Sequence, residues 1–150
     1  MERKDSHTKS CITDCKIIDL QVFPDVNGKL AVIENGNKLP FVMKRMFFLY
    51  DVPSGAQRGG HSHYEEEQLI IAATGSFEVI IYDGINTTSF TLNKPNQGLY
   101  IPPGLWRELK NFTSGAVSLV ISSTNFNEND YVRDYDEFLT LTSEKSCTKK

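Results

Sequence analysis

Two histidines separated by one residue, His61-Ser62-His63, are the side chains of this chain best placed for proton chemistry, because imidazole titrates near neutral pH. The third histidine, His7, stands in a polar N-terminal stretch. On a β-strand alternate residues point to one side, so His61 and His63 should project together from one face. Imidazoles so paired can hold a metal or move protons. Gly59-Gly60 just before them and Leu69-Ile70-Ile71 just after imply a shaped pocket rather than open surface. Cations lie nearby in the chain. Lys44 and Arg45 sit in the preceding aromatic stretch, Arg58 stands three residues before His61, and Arg107 follows later. Guanidinium forks suit a diphosphate.

For these groups to meet, strands must deliver them, and the punctuation of the chain reads as strands. Apolar runs lie at Lys16 to Phe23, Lys29 to Ile33, Val42 to Val52, Gln68 to Thr74, Phe77 to Tyr82, Thr87 to Leu92, Leu99 to Ile101, Leu105 to Phe112 and Ala116 to Ser122. Turn signals such as Asn27-Gly28, Gly75-Ser76, Asp83-Gly84 and Pro102-Pro103-Gly104 separate them. The stretch from Pro53 to Gly60 reads as a loop, and Tyr135 to Leu141 as a short helix. The expected class is all-β, a sandwich or barrel with one short C-terminal helix. One domain over residues 14–141 is expected, with flexible tails at 1–13 and 142–150.

A chain of 150 residues can bury one core without disulfide support. A net charge of -3, with no basic block beyond Lys149-Lys150, argues against nucleic acid and anionic membranes as partners. No apolar run reaches the length of a membrane span, and the N-terminal region lacks a signal-peptide centre. A soluble cytoplasmic protein is expected. Cys11, Cys15 and Cys147, an odd set, read as free thiols.

Gly55, the His61-Ser62-His63 pair and Gly75 resemble the first motif of the cupin superfamily, and Gly98 to Asn111 resembles the second. The resemblance implies a cupin jelly-roll barrel, a double-stranded β-helix. For metal-binding cupins it implies two histidines, a glutamate and a third histidine as ligands. Here Arg107 stands where the third histidine would be, and it has no lone pair to give. Counting back from Gly75 puts Gln68 at the glutamate position, and Glu67 fits it if the spacing is one residue looser. No metal and no other cofactor is expected, which leaves the imidazoles to act as general acid and base.

At finer grain, the runs KRMFFLYDVPSGAQRGGHSHYEEEQLIIAATGSFEVIIYDG, NKPNQGLYIPPGLWREL and DYVRDYDEF are similar to the sugar-nucleotide 3,4-ketoisomerases acting on dTDP-4-dehydro-6-deoxyglucose. That resemblance implies a homodimeric, metal-free isomerase that moves a ketone from C4 to C3 through an enediol, on the way to a 3-amino-3,6-dideoxy sugar. In that frame His61 takes the C3 proton, and His63 protonates C4 or relays a proton between the oxygens. Tyr50 hydrogen-bonds the enediolate oxygen. Arg45 and Arg58 grip the diphosphate, with Arg107 behind them, and Trp106 walls the sugar. Strand alternation over Glu65-Glu66-Glu67 turns Glu66 away and leaves Glu67 to orient an imidazole. The N-terminal β segment is expected to pair with a partner's sheet edge. Two other readings are a metal-dependent cupin oxygenase built on His61, His63 and Glu67, and a non-catalytic nucleotide-sugar binding module.

Overall fold

The computed structural model describes residues 10–143 and residue 147. In chain order its strands are β1 (Lys16–Asp19), β2 (Gln21–Asp25), β3 (Gly28–Val32), β4 (Arg45–Leu49), β5 (Arg58–His63) and β6 (Gln68–Thr74). Then come β7 (Phe77–Tyr82), β8 (Thr87–Leu92), β9 (Gln97–Ile101), β10 (Trp106–Lys110), β11 (Val117–Ser122), β12 (Tyr131–Val132) and the helix α1 (Tyr135–Leu141). One five-stranded sheet runs β1-β9-β6-β11-β4 and the other β12-β5-β10-β7-β8, with β2 and β3 paired as a separate hairpin. All pairings between these strands are antiparallel, and most neighbours in space are distant in sequence. This is the expected all-β jelly roll with its short C-terminal helix.

Alternation explains which residues fill the barrel. In β7, Phe77, Val79 and Ile81 are buried inward while Glu78, Ile80 and Tyr82 are only half-buried. β6 reads as continuously apolar because it is covered on both faces. Ile70 and Ala72 enter the main core, whereas Leu69 and Ile71 pack outward against Leu20, Phe41 and the half-buried Ile33 and Leu39. On the far sheet, α1 is capped by the Asp134 side chain accepting from the Glu137 N–H, and it lays Phe138 over Trp106 and Val132.

Strand limits depart from expectation in three places. The run through Phe23 breaks at Leu20, whose N–H donates to the Asn96 carbonyl. Of Val42 to Val52 only β4 is extended, with Asp51 at a φ of 54° turning the chain out. The loop expected over Pro53 to Gly60 ends at Gln57, and Arg58, Gly59 and Gly60 form the first half of β5. Gly59 and Gly60 have φ of 85° and 71°, and a Cβ on Gly59 would come within 3.1 Å of the Arg107 carbonyl. The close approach and a bulge in the β5–β10 pairing set His61 directly opposite Arg107.

The cysteines are corrected. Cys11 and Cys147 form a disulfide with Cα atoms 5.7 Å apart, and Cys15 is a buried free thiol. An odd count hides a pair that only the fold brings together. The expected tails lie mostly outside the described residues. Within them, Ile12–Asp14 form a 3-10 turn, and Thr142 is buried.

Gly75 closes the β6–β7 turn at a φ of 68°, and an added Cβ would sit 2.8 Å from the Ala116 Cα. Gly75→Ala is therefore expected to cost at least about 2 kcal/mol, read as a lower urea midpoint at unchanged slope.

Candidate active site

A cavity of about 410 Å³ opens between the sheets. Phe47, Leu49, Ile70, Leu109 and Val120 give it apolar walls, while His61, Gln68, Arg107, Tyr131, Arg58 and Arg133 give it polar ones. The site is apolar at its sides and converges on a few polar atoms, as binding pockets do.

His61 and His63 do share a face of β5, with ring centroids 4.8 Å apart and planes at 85°. Only His61 reaches the cavity; His63 is fully buried behind it. The Gly59 carbonyl hydrogen-bonds the His61 ring, and Nε2 is buried without a partner, so Nδ1 carries the proton and Nε2 the lone pair. The His63 Nδ1 lies 3.3 Å from Asp130 Oδ2, and its Nε2 lies 3.4 Å from Glu66 Oε2. Tyr131 lies tilted against both rings, its centroid 5.0 Å from His61 and 4.5 Å from His63.

Burial, then Arg107, then His63 push His61 down to about 2. Burial and Arg107 push His63 down to about 3 against the pull of Glu66. Both rings are neutral at working pH, the state a base requires. An unfolded histidine titrates near about 6.5. On acidification the unfolded chain therefore takes up protons first, so stability present above about pH 6.5 is lost as pH falls toward about 3. Each ring contributes a slope of up to about 1.4 kcal/mol per pH unit. Urea midpoints measured across that window should fall with acid, and His63→Gln should flatten the fall.

Arg107 is the largest fully buried side chain among the described residues. Alternation along β10 turns it inward and its neighbour Trp106 outward. Nη1 donates to Gln68 Oε1 at 2.6 Å and Nη2 to the Leu105 carbonyl at 3.3 Å, while Nε–H is buried without an acceptor. Burial lowers it to about 10, so it stays a cation at neutral pH. Trp106, expected to wall the sugar, instead packs against Tyr135 and Phe138 at 5.1 and 5.6 Å.

Other expected site residues also move. Arg45 is turned inward and donates to Glu66 Oε1 at 3.0 Å, which commits it to the scaffold. Arg58 lines the cavity mouth. Tyr50, on the outer side of the chain after β4, is 61% exposed and lines a separate shallow groove with Phe48. Glu67 accepts the Tyr100 hydroxyl at 2.6 Å, and Glu66 is the carboxylate beside His63. The chain bends between β5 and β6, so alternation fails there.

The segment after β11 supplies three residues that sequence reasoning missed. Tyr131 pairs in register with His63, Asp130 reaches its Nδ1, and Arg133 stands at the mouth. The Arg133 guanidinium lies 4.2 Å from the Tyr131 ring and holds Glu128 with bonds of 2.7 and 3.0 Å. Burial, then Glu66, raises the Tyr131 phenol, which keeps its proton. A signal was present: Tyr131, Val132 and Arg133 alternate within an otherwise Asn- and Asp-rich stretch.

Among the described residues His63, Glu66 and Asp130 bring donor atoms within 4.8 Å of one another, but Asp130 is held by the Glu65 and Glu66 N–H groups and the set does not fit a divalent metal. A guanidinium occupies the place of the third imidazole, and Glu66 is already bound by Arg45, Thr124 and Gln68.

Residues 13–143 match the family described as FdtA, WxcM-like, C-terminal. The chain belongs to this family. It is 37% identical over 123 residues to the TDP-4-oxo-6-deoxy-alpha-D-glucose-3,4-oxoisomerase of Aneurinibacillus thermoaerophilus, covering 82% of this chain and 88% of that one. A 3,4-ketoisomerase from Helicobacter canadensis superposes with a TM-score of 0.84 at 44% identity, over 87% of this chain and 98% of the other. A variant of the 3,4-ketoisomerase QdtA from Thermoanaerobacterium thermosaccharolyticum, solved with TDP-4-keto-6-deoxyglucose, gives 0.86 at 32% identity, over 89% and 97%. The FdtA-like chains share this barrel along nearly their full length.

Proposed function

We propose that this protein is a sugar-nucleotide 3,4-ketoisomerase that converts TDP-4-oxo-6-deoxyglucose (dTDP-4-dehydro-6-deoxyglucose) to its 3-oxo isomer. The observation that carries the reading is His61 on the cavity wall in register with Arg107, with both the His61 Nε2 and the Arg107 Nε–H buried and without a hydrogen-bond partner. His61 takes the proton from C3 while the C4 carbonyl becomes an enediolate, whose charge the Arg107 guanidinium offsets. The C3 hydroxyl proton passes to the C4 oxygen, and His61 returns a proton to C4. C3 and C4 are bonded neighbours, so one imidazole on one face serves both. His63, sealed from the cavity, does not meet the sugar.

Arg58 and Arg133 at the mouth hold the diphosphate. Arg58→Ala should raise KM roughly 10-fold or more with kcat little changed, since a charge-assisted hydrogen bond contributes about 1.5–3 kcal/mol. We place the reaction among cytoplasmic nucleotide sugars, upstream of an aminotransferase making a 3-amino-3,6-dideoxy sugar. The protein acts as a homodimer. The β2–β3 hairpin stands outside both sheets and exposes Phe23, Val26 and Leu30, a surface suited to a second copy. Sedimentation should give twice the chain mass.

Incubation with TDP-4-oxo-6-deoxyglucose in deuterated buffer, followed by NMR, tests the reaction. A 3-oxo product that has lost the C3 proton signal is expected, with C4 carrying the hydrogen moved from C3 or deuterium taken from solvent. Unchanged substrate, or exchange confined to C5, overturns it.

A further inference from the structure

Two buried carboxylates that the mechanism above does not use, Glu66 and Asp130, flank His63. Asp130 is 3% exposed. Its Oδ1 accepts the Glu65 N–H at 2.8 Å and its Oδ2 accepts the Glu66 N–H at 3.1 Å. Two backbone donors pin the carboxylate, and it presents Oδ2 to His63 Nδ1 at 3.3 Å. An ionised carboxylate only accepts, so the proton of the neutral ring belongs on Nδ1. On the opposite edge, Nε2 makes no hydrogen bond, although Glu66 Oε2 lies 3.4 Å away.

Resting on the isomerase reading, we propose that Asp130 is a positioning residue for the reaction: it fixes the tautomer and ring plane of His63, which stands edge-on against His61 and keeps its Nε2 turned into the cavity. The antiparallel pairing of Tyr131 with His63 delivers Asp130 to this place, and the tilted Tyr131 ring touches both imidazoles. A carboxylate that orients an imidazole without touching substrate acts through geometry and tautomer alone.

The test uses the full chain labelled with nitrogen-15 histidine. In the wild type, NMR should show His63 protonated at Nδ1. In Asp130→Asn the amide nitrogen must face a backbone N–H or the ring, so His63 should shift toward the Nε2–H form. With TDP-4-oxo-6-deoxyglucose as substrate, kcat should fall roughly 10- to 100-fold and KM stay within about twofold. A folded Asp130→Asn variant with wild-type kcat overturns the role. So does a wild-type His63 protonated at Nε2, a readout that decides the matter even if the variant fails to fold. Wild-type protein that does not turn over this substrate sinks the isomerase reading instead, and the tautomer measurement still decides whether Asp130 sets the ring.

Discussion

His61→Asn should lower kcat by about two to four orders of magnitude while leaving TDP affinity within about threefold. Asparagine keeps much of the ring's volume and can still donate to the Gly59 carbonyl, so β5 and the cavity should survive. What it lacks is the basic lone pair that His61 Nε2 presents, buried and unpartnered, at the wall. His63 cannot substitute, because it is sealed from the cavity and flanked by Asp130 and Glu66. Single-turnover NMR with the oxo sugar measures the chemical step, and calorimetry with TDP measures binding. A variant that retained more than about a tenth of the wild-type kcat would place the base elsewhere.

Arg107→Met carries the second large effect, a fall in kcat of roughly 10²- to 10³-fold. Methionine fills much of the buried volume but offers no donor for the enediolate. A second signature separates this loss from a packing defect. Arg107 is the second cause, after burial, that holds both histidines low. Without the cation the protonated rings are less disfavoured, so both values rise. The wild-type kcat profile should stay flat on its acid side until the fold fails, and that of Arg107→Met should bend downward at a higher pH. Matching profiles would show that the guanidinium does not set the field around the imidazoles.

The strands that follow strict alternation or carry clear turn chemistry were readable from the chain. β6, β7 and β8 lie where periodicity and the Gly75-Ser76 and Asp83-Gly84 turns put them. The common face of His61 and His63, and the guanidinium in place of a third imidazole, were also legible. Legibility ended where parity broke. Between Tyr64 and Glu67 the chain bends rather than extends, so counting faces selected Glu67 when the bend turns Glu66 inward. Trp106 and Arg107 alternate as adjacent strand residues must, but nothing local said that α1 would return to cover the tryptophan. Tyr50 shares the parity of Met46 and Phe48, the exposed face of β4, and so lies away from the histidines. Asp130, Tyr131 and Arg133 come from a segment some seventy positions after His61, and only the β12–β5 pairing makes them neighbours. The general lesson is that periodicity assigns faces within an element, whereas partners across the barrel come from topology.

The Cys11–Cys147 bond spans 136 positions and makes the oxidised polypeptide a covalent ring around almost the whole barrel. A single protease cut in the exposed stretch near Ser54 would then leave one molecule, and two pieces would separate only after a reductant is added and the barrel is melted. The same closure means that Cys11 and Cys147 lie side by side, with Cα atoms 5.7 Å apart. Joining them by a short peptide and opening the chain at a hairpin tip should therefore give a rearranged gene product with the same barrel.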